Sequence, residues 1–124
     1  LAEALSTVRC VHLTPYRENA LAEVAFTARL PELGGALVNG TIDLLRVDEK
    51  EVRILDFKSN ATVPETAASV PLGILRQMGA YRAAIKQIYP DHDVITEIYW
   101  TATNQLMPLD CAQVDAALRA ATAS

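Results

Sequence analysis

Two neighbouring stretches constrain the fold of this chain more than any other feature. Ala36 to Val47 and Glu51 to Lys58 are both strand-like, and only Asp48-Glu49-Lys50 separates them. Two such runs joined by a short polar segment predict an antiparallel hairpin. A turn centred on Glu49-Lys50 pairs residues whose numbers sum to 99, which sets Asp43 directly opposite Asp56; a bulge or a three-residue loop would shift that register. Side chains alternate along a strand, so Asp56 and Lys58 project from one face and Leu55 and Phe57 from the other.

The remaining elements follow from periodicity. Leu1 to Val11 can form a short helix that Thr14-Pro15 breaks. Glu23 to Leu30 alternates Val24, Phe26, Ala28 and Leu30 with other residues and predicts a strand, followed by a turn at Pro31 to Gly35. Asn60 to Ser69 is polar and reads as a loop. Ser69 is placed to cap a helix with Pro71 in its first turn. Along that helix Ile74, Met78, Tyr81, Ile85 and Ile88 form an apolar stripe, and Pro90 ends it. Val94 to Thr101 predicts a strand, Gln105 to Leu109 a short edge strand, and Asp110 the cap of a last helix reaching about Ala121. This order predicts an α/β fold, a mixed central sheet flanked by helices.

The length of 124 residues suits one domain with one core. No run of about 18 apolar residues is present, which gives no expectation of a membrane-spanning helix. Cys10 and Cys111 cannot form a four-cysteine metal site, and without a secretion signal they read as reduced thiols, an expectation that goes with a cytoplasmic location. The abrupt start at Leu1 gives the expectation of a domain cut from a longer polypeptide. The net charge of −4 argues against a domain that grips nucleic acid by a broad basic surface. It leaves open acidic residues that serve as metal ligands, with partner domains supplying the basic surface.

Two facing carboxylates repel one another, and crowding raises the pKa of one of them. Water or a bound cation relieves that cost. Oxygen ligands suit a hard ion such as Mg²⁺ or Mn²⁺, and Lys58 alongside could orient an attacking water. The plainer reading is a solvated ion pair on a half-exposed strand. Gln77 and Tyr81 lie one helical turn apart and share a face; either they pack as core and boundary residues or they point toward the carboxylates.

Taken in order, Gly40-Thr41-Ile42-Asp43, Asp56-Phe57-Lys58-Ser59-Asn60 and Gln77-Met78-Gly79-Ala80-Tyr81 resemble the RecB-like PD-(D/E)XK nucleases. Their pattern is a Gly-x-x-Asp strand, an Asp-x-Lys strand and a Gln-x-x-x-Tyr helix. Ile88-Tyr89-Pro90 and Ile98-Tyr99-Trp100-Thr101 are further similar to the C-terminal nuclease domain of AddAB-type helicase–nucleases, and the likeness spans Glu23 to Leu109. The resemblance implies a restriction-endonuclease-like fold over residues 1–124 and DNA phosphodiester hydrolysis in double-strand break repair. It implies Asp43 and Asp56 as ligands of Mg²⁺ or Mn²⁺, Lys58 as the catalytic lysine, and Gln77 and Tyr81 as substrate-binding or supporting residues. DNA, an AddB-like subunit and helicase domains are the implied partners, with ATP used only in the helicase part outside this chain.

Ser59 stands where these proteins often have Thr, and Glu23 is an outer candidate. The family's upstream metal-binding His has His12 as its one possible counterpart, and His12 reads better as a loop or packing residue. His92 reads as an exposed turn residue. A non-catalytic module of the same fold, binding DNA or docking a subunit, is the alternative expectation, and an unrelated α/β interaction domain is a third.

Overall fold

The computed structural model describes residues 20–123. The predicted helix at residues 1–11, Cys10 and His12 lie outside the described residues. Among the described residues five strands form one sheet: β1 (Ala20–Leu30), β2 (Ala36–Val47), β3 (Glu51–Lys58), β4 (Asp93–Trp100) and β5 (Gln105–Pro108), in spatial order β1-β2-β3-β4-β5. Helix α1 (Leu72–Ile88) connects β3 to β4, and α2 (Cys111–Ala123) follows β5. The β3–β4 pair is parallel and the other three are antiparallel. A parallel neighbour needs a crossover, which α1 provides.

Local chemistry explains the turns. Asp48 Oδ1 accepts the backbone N–H groups of Lys50 (3.0 Å) and Glu51 (2.7 Å), closing the β2–β3 turn. Gly34 and Gly35 have φ of 66° and 83°, which glycine adopts without steric cost, and they link β1 to β2 after a 3₁₀ turn at Pro31–Leu33. Asp110 Oδ1 accepts Ala112 N at 2.9 Å and caps α2 as predicted.

Other details depart from the sequence reading. Ser69 does not cap α1; it ends a 3₁₀ turn (Ala67–Ser69), and Pro71 occupies the N-cap position without any side-chain hydrogen bond. Ile88, the last residue of α1, is 62% exposed, whereas Leu75 is buried. His92 is half-buried rather than exposed: its ring meets Tyr89 edge-on, and Nε2 lies 3.0 Å from the Asp48 carbonyl oxygen. Cys111 is a free thiol donating to the Val94 carbonyl oxygen.

Both described helices pack on the same face of the sheet. The main core joins Ile42, Leu45, Val52, Ile54, Val94, Ile98 and Trp100 of the strands to Leu75, Met78, Tyr81, Ile85 and Val114 of the helices. Leu44, Leu55 and Tyr99 form a second buried cluster with Phe57 and Leu106, on the opposite side-chain parity of β3 and β4. The helices touch closely at Gly79, where an added Cβ would collide with the Val114 carbonyl oxygen and sit 3.0 Å from Leu118 Cβ. The backbone oxygen cannot swing aside, so Gly79→Ala should destabilise the fold by about 1–3 kcal/mol. An unchanged urea midpoint in that variant would contradict the close contact.

Candidate active site

The β2–β3 register follows the predicted sum: Leu44 pairs with Leu55, Leu45 with Ile54, Arg46 with Arg53 and Val47 with Val52. The regular ladder stops just before Asp43 and Asp56. There the Asp43 carboxylate takes over, accepting Phe57 N–H at Oδ2 over 2.8 Å. β2 also changes its facing at this point. Ile42 and Leu45 both enter the helix-side core while Leu44 enters the opposite cluster, so strict alternation is broken around Asp43. β1 changes likewise: Ala20 packs with the far cluster, Val24 and Phe26 with the helix-side core. Glu23, opposite Asp43 in the β1–β2 register, has φ 52° and is absent from the ladder. Asp43, two positions before Leu45, keeps the helix-side parity that Asp56 shares with Ile54, and the swivel shared by the two strands carries Ile42 to that side as well.

Asp56 is 4% exposed and Asp43 half-buried. Burial pushes the Asp56 carboxyl up to about 6; Lys58 opposes the shift, and the nearby, hydrogen-bonded Asp43 adds to it. Lys58 Nζ lies 2.8 Å from Asp56 Oδ2 as an ion pair, and that buried oxygen has no further hydrogen-bond partner among the described residues. The ammonium offsets part of the cost of burying that carboxylate, while Asp43 beside it adds a second negative charge that a cation would compensate.

Lys58 Nζ also donates to Gln77 Oε1 at 2.8 Å. Gln77 Nε2 donates to the Tyr81 hydroxyl at 3.0 Å, and that hydroxyl donates to the Thr41 carbonyl oxygen at 3.1 Å. The direction of this chain is forced. A carbonyl can only accept, so the phenol proton goes to Thr41, the phenol oxygen accepts from the Gln77 amide, and the Gln77 oxygen is left for the ammonium. Burial, and next the Asp56 charge, raise the Tyr81 pKa, which keeps this phenol a donor.

The five sequence-selected residues thus lie in one hydrogen-bonded and ion-paired constellation. Glu23 is exposed at the swivel and makes no contact with it among the described interactions. Sequence reasoning passed over Phe26, whose ring meets Tyr81 edge-on with centroids 5.5 Å apart, and the packing role of Gly40. The alternation of Val24, Phe26 and Ala28 identified the strand but not its contact across to α1. A groove of about 580 Å³, with Glu65, Thr66, Asn104, Gln105 and Met107 in its lining, lies along β5 and includes none of the five.

Among the described residues no cluster of three or more His, Cys, Asp or Glu side chains forms. The protein offers two neighbouring carboxylates, one of them buried and paired with Lys58. That set fits Mg²⁺ or Mn²⁺, because Mg²⁺ commonly takes one or two carboxylates and completes its shell with water and substrate phosphate oxygens.

Fold and constellation together define a restriction-endonuclease-like α/β domain. The chain belongs to the PD-(D/E)XK nuclease superfamily, whose family model matches residues 2–122. Its members are in general nucleases, which typically use divalent metals. The fold is similar to that in the crystal structure of SSO0001, with a TM-score of 0.50 and 14% sequence identity over 94% of this chain. This chain spans 55% of the SSO0001 chain. No curated protein matches.

Proposed function

We propose that this domain hydrolyses DNA phosphodiester bonds as the nuclease part of a RecB-like, AddAB-type helicase–nuclease, acting as a Mg²⁺-dependent exonuclease in recombinational repair of double-strand breaks. The observation that carries the reading is the buried Asp56 carboxylate, held beside Asp43 and ion-paired with Lys58. Asp43 and Asp56 would hold the divalent ion. When bound, that ion supplies Lewis-acid stabilisation of charge on the scissile phosphate and makes water easier to deprotonate. Asp43 is itself anchored by Phe57 N–H, which fixes the carboxylate against the strand end.

Lys58 has one ammonium proton committed to Gln77 and lies against Asp56, leaving another to orient the attacking water or to meet a phosphate oxygen. Gln77 and Tyr81 keep the ammonium where it serves the reacting phosphate, a positioning role with large leverage on rate. The helicase domains, an AddB-like subunit and ATP hydrolysis would lie outside this chain, with the whole assembly in the cytoplasm. The net charge of −4 agrees with DNA being delivered by partner domains rather than captured by this one.

The test uses the full-length parent protein. Mn²⁺ titration by calorimetry should detect binding in the wild type that Asp43→Ala removes. Asp43→Ala should also stop Mg²⁺-dependent cleavage while DNA unwinding continues. Undiminished cleavage in that variant would refute the assignment, and metal-independent DNA binding alone would favour a non-catalytic module.

A further inference from the structure

We propose that Phe26, on the outermost strand β1, is a positioning residue for Lys58: seated over Gly40, its ring fixes Tyr81 and, through Tyr81, the Gln77 amide that holds the lysine. The proposal rests on the nuclease reading for its meaning but on separate contacts for its evidence.

Gly40 leaves the backbone of β2 bare three positions before Asp43. A Cβ there would lie 2.6 Å from Phe26 Cε1, 2.7 Å from Phe26 Cζ and 3.0 Å from Tyr81 Cε1. Both rings therefore rest directly on the strand, in the space a side chain would take. They meet edge to face at an interplanar angle of 89°, an arrangement aromatic quadrupoles favour. Phe26 pairs with Gly40 across the β1–β2 ladder, so its ring is delivered to this point by strand register.

Tyr81 is consequently held at two places. Its ring is held by Phe26 and the bare Gly40 backbone, and its hydroxyl by the Thr41 carbonyl oxygen one residue further on. Only with the ring so fixed does the phenol oxygen present its lone pair to Gln77 Nε2, which in turn aims Gln77 Oε1 at Lys58. Removing the Phe26 ring opens a void beside Tyr81. The phenol can then tilt, the Gln77 amide is free to turn, and the ammonium loses its fixed acceptor. Phe26 touches neither carboxylate nor lysine, so it acts through Tyr81. The glycine of the Gly-x-x-Asp motif thereby acquires a reason: it makes room for two rings.

The test compares Phe26→Leu and Gly40→Ala with Val114→Ala, a buried change elsewhere in the same core, at the helix–helix contact, that removes none of these hydrogen bonds or ring contacts. In the metal-free, ¹⁵N-labelled protein, the Gln77 side-chain amide signals are assigned by their loss in Gln77→Glu. Phe26→Leu and Gly40→Ala should speed exchange of those amide protons about tenfold or more, because their hydrogen bond opens more often. Cleavage kcat should fall about 10- to 100-fold with little change in KM for DNA. Val114→Ala should lower the melting temperature yet leave the Gln77 exchange rate and kcat near wild type.

If Gly40→Ala fails to fold, Phe26→Leu decides. Wild-type Gln77 exchange in Phe26→Leu, or equally fast exchange in Val114→Ala, overturns the proposal. The amide measurement needs no cleavage, so it judges the clamp even if Asp56→Asn still cuts DNA, an outcome that sinks the nuclease assignment instead.

Discussion

Without divalent metal at pH 8, Asp56→Asn should unfold at a higher urea concentration than the wild type, and with Mg²⁺ the same variant should cut DNA about a thousandfold more slowly. The first half follows from linkage. The Asp56 carboxyl is raised from 3.8 in the unfolded chain to about 6 in the fold, chiefly by burial. A carboxyl with a raised folded pKa favours folding when protonated. Its contribution is complete below about pH 4 and is lost as pH rises through about 6. The difference of roughly two pKa units corresponds to about 3 kcal/mol at most at pH 8. Asn resembles the protonated acid and escapes the loss. Unfolding curves at pH 4, 6 and 8 should show the two proteins alike at the acid end and diverging above it; curves parallel at every pH would refute the buried ionisation.

The second half follows because the same carboxylate would hold the cation. Its loss should cost cleavage about a thousandfold, the scale of removing one preorganised charge from a transition state. The wild-type metal must displace a proton from Asp56, so Mn²⁺ affinity should also weaken as pH falls below about 6. Stability sacrificed for function is the common signature of a working site.

Lys58→Met separates catalysis from metal retention. Cleavage should drop roughly 100- to 10,000-fold, the range for removing a positioned proton donor or acceptor. Mn²⁺ binding at pH 8 should persist, since both carboxylates remain and a repelling ammonium is gone. Calorimetry and single-turnover cleavage read the two effects separately. If Lys58→Met abolished Mn²⁺ binding as fully as Asp43→Ala, the lysine would be a counter-ion that keeps the carboxylates in place rather than a participant at the phosphate. Gln77 Oε1 loses its ammonium donor in this variant, so some loss of stability is expected as well.

The hairpin register was legible in the sequence because it is local. Two alternating runs and the short Asp48-Glu49-Lys50 connection leave few ways to pair, and the observed partners obey the predicted sum. The apolar stripe of α1 was legible for the same reason, from Ile74 through Ile85. Where tertiary neighbours decided, local rules misled: Ser69 gave way to Pro71 at the helix start, and Ile88 ended in solvent.

The sequence by itself determined which residues share a strand face, and so that Asp56 and Lys58 travel together. Only the tertiary structure decided that β1 and β2 swivel at Glu23 and Asp43, that β4 inserts in parallel beside β3, and that Phe26 and Tyr81 meet over Gly40. Periodicity encodes what lies within a few bonds, whereas these contacts join residues far apart in the chain. Their geometry comes from how whole elements pack, which no local pattern specifies.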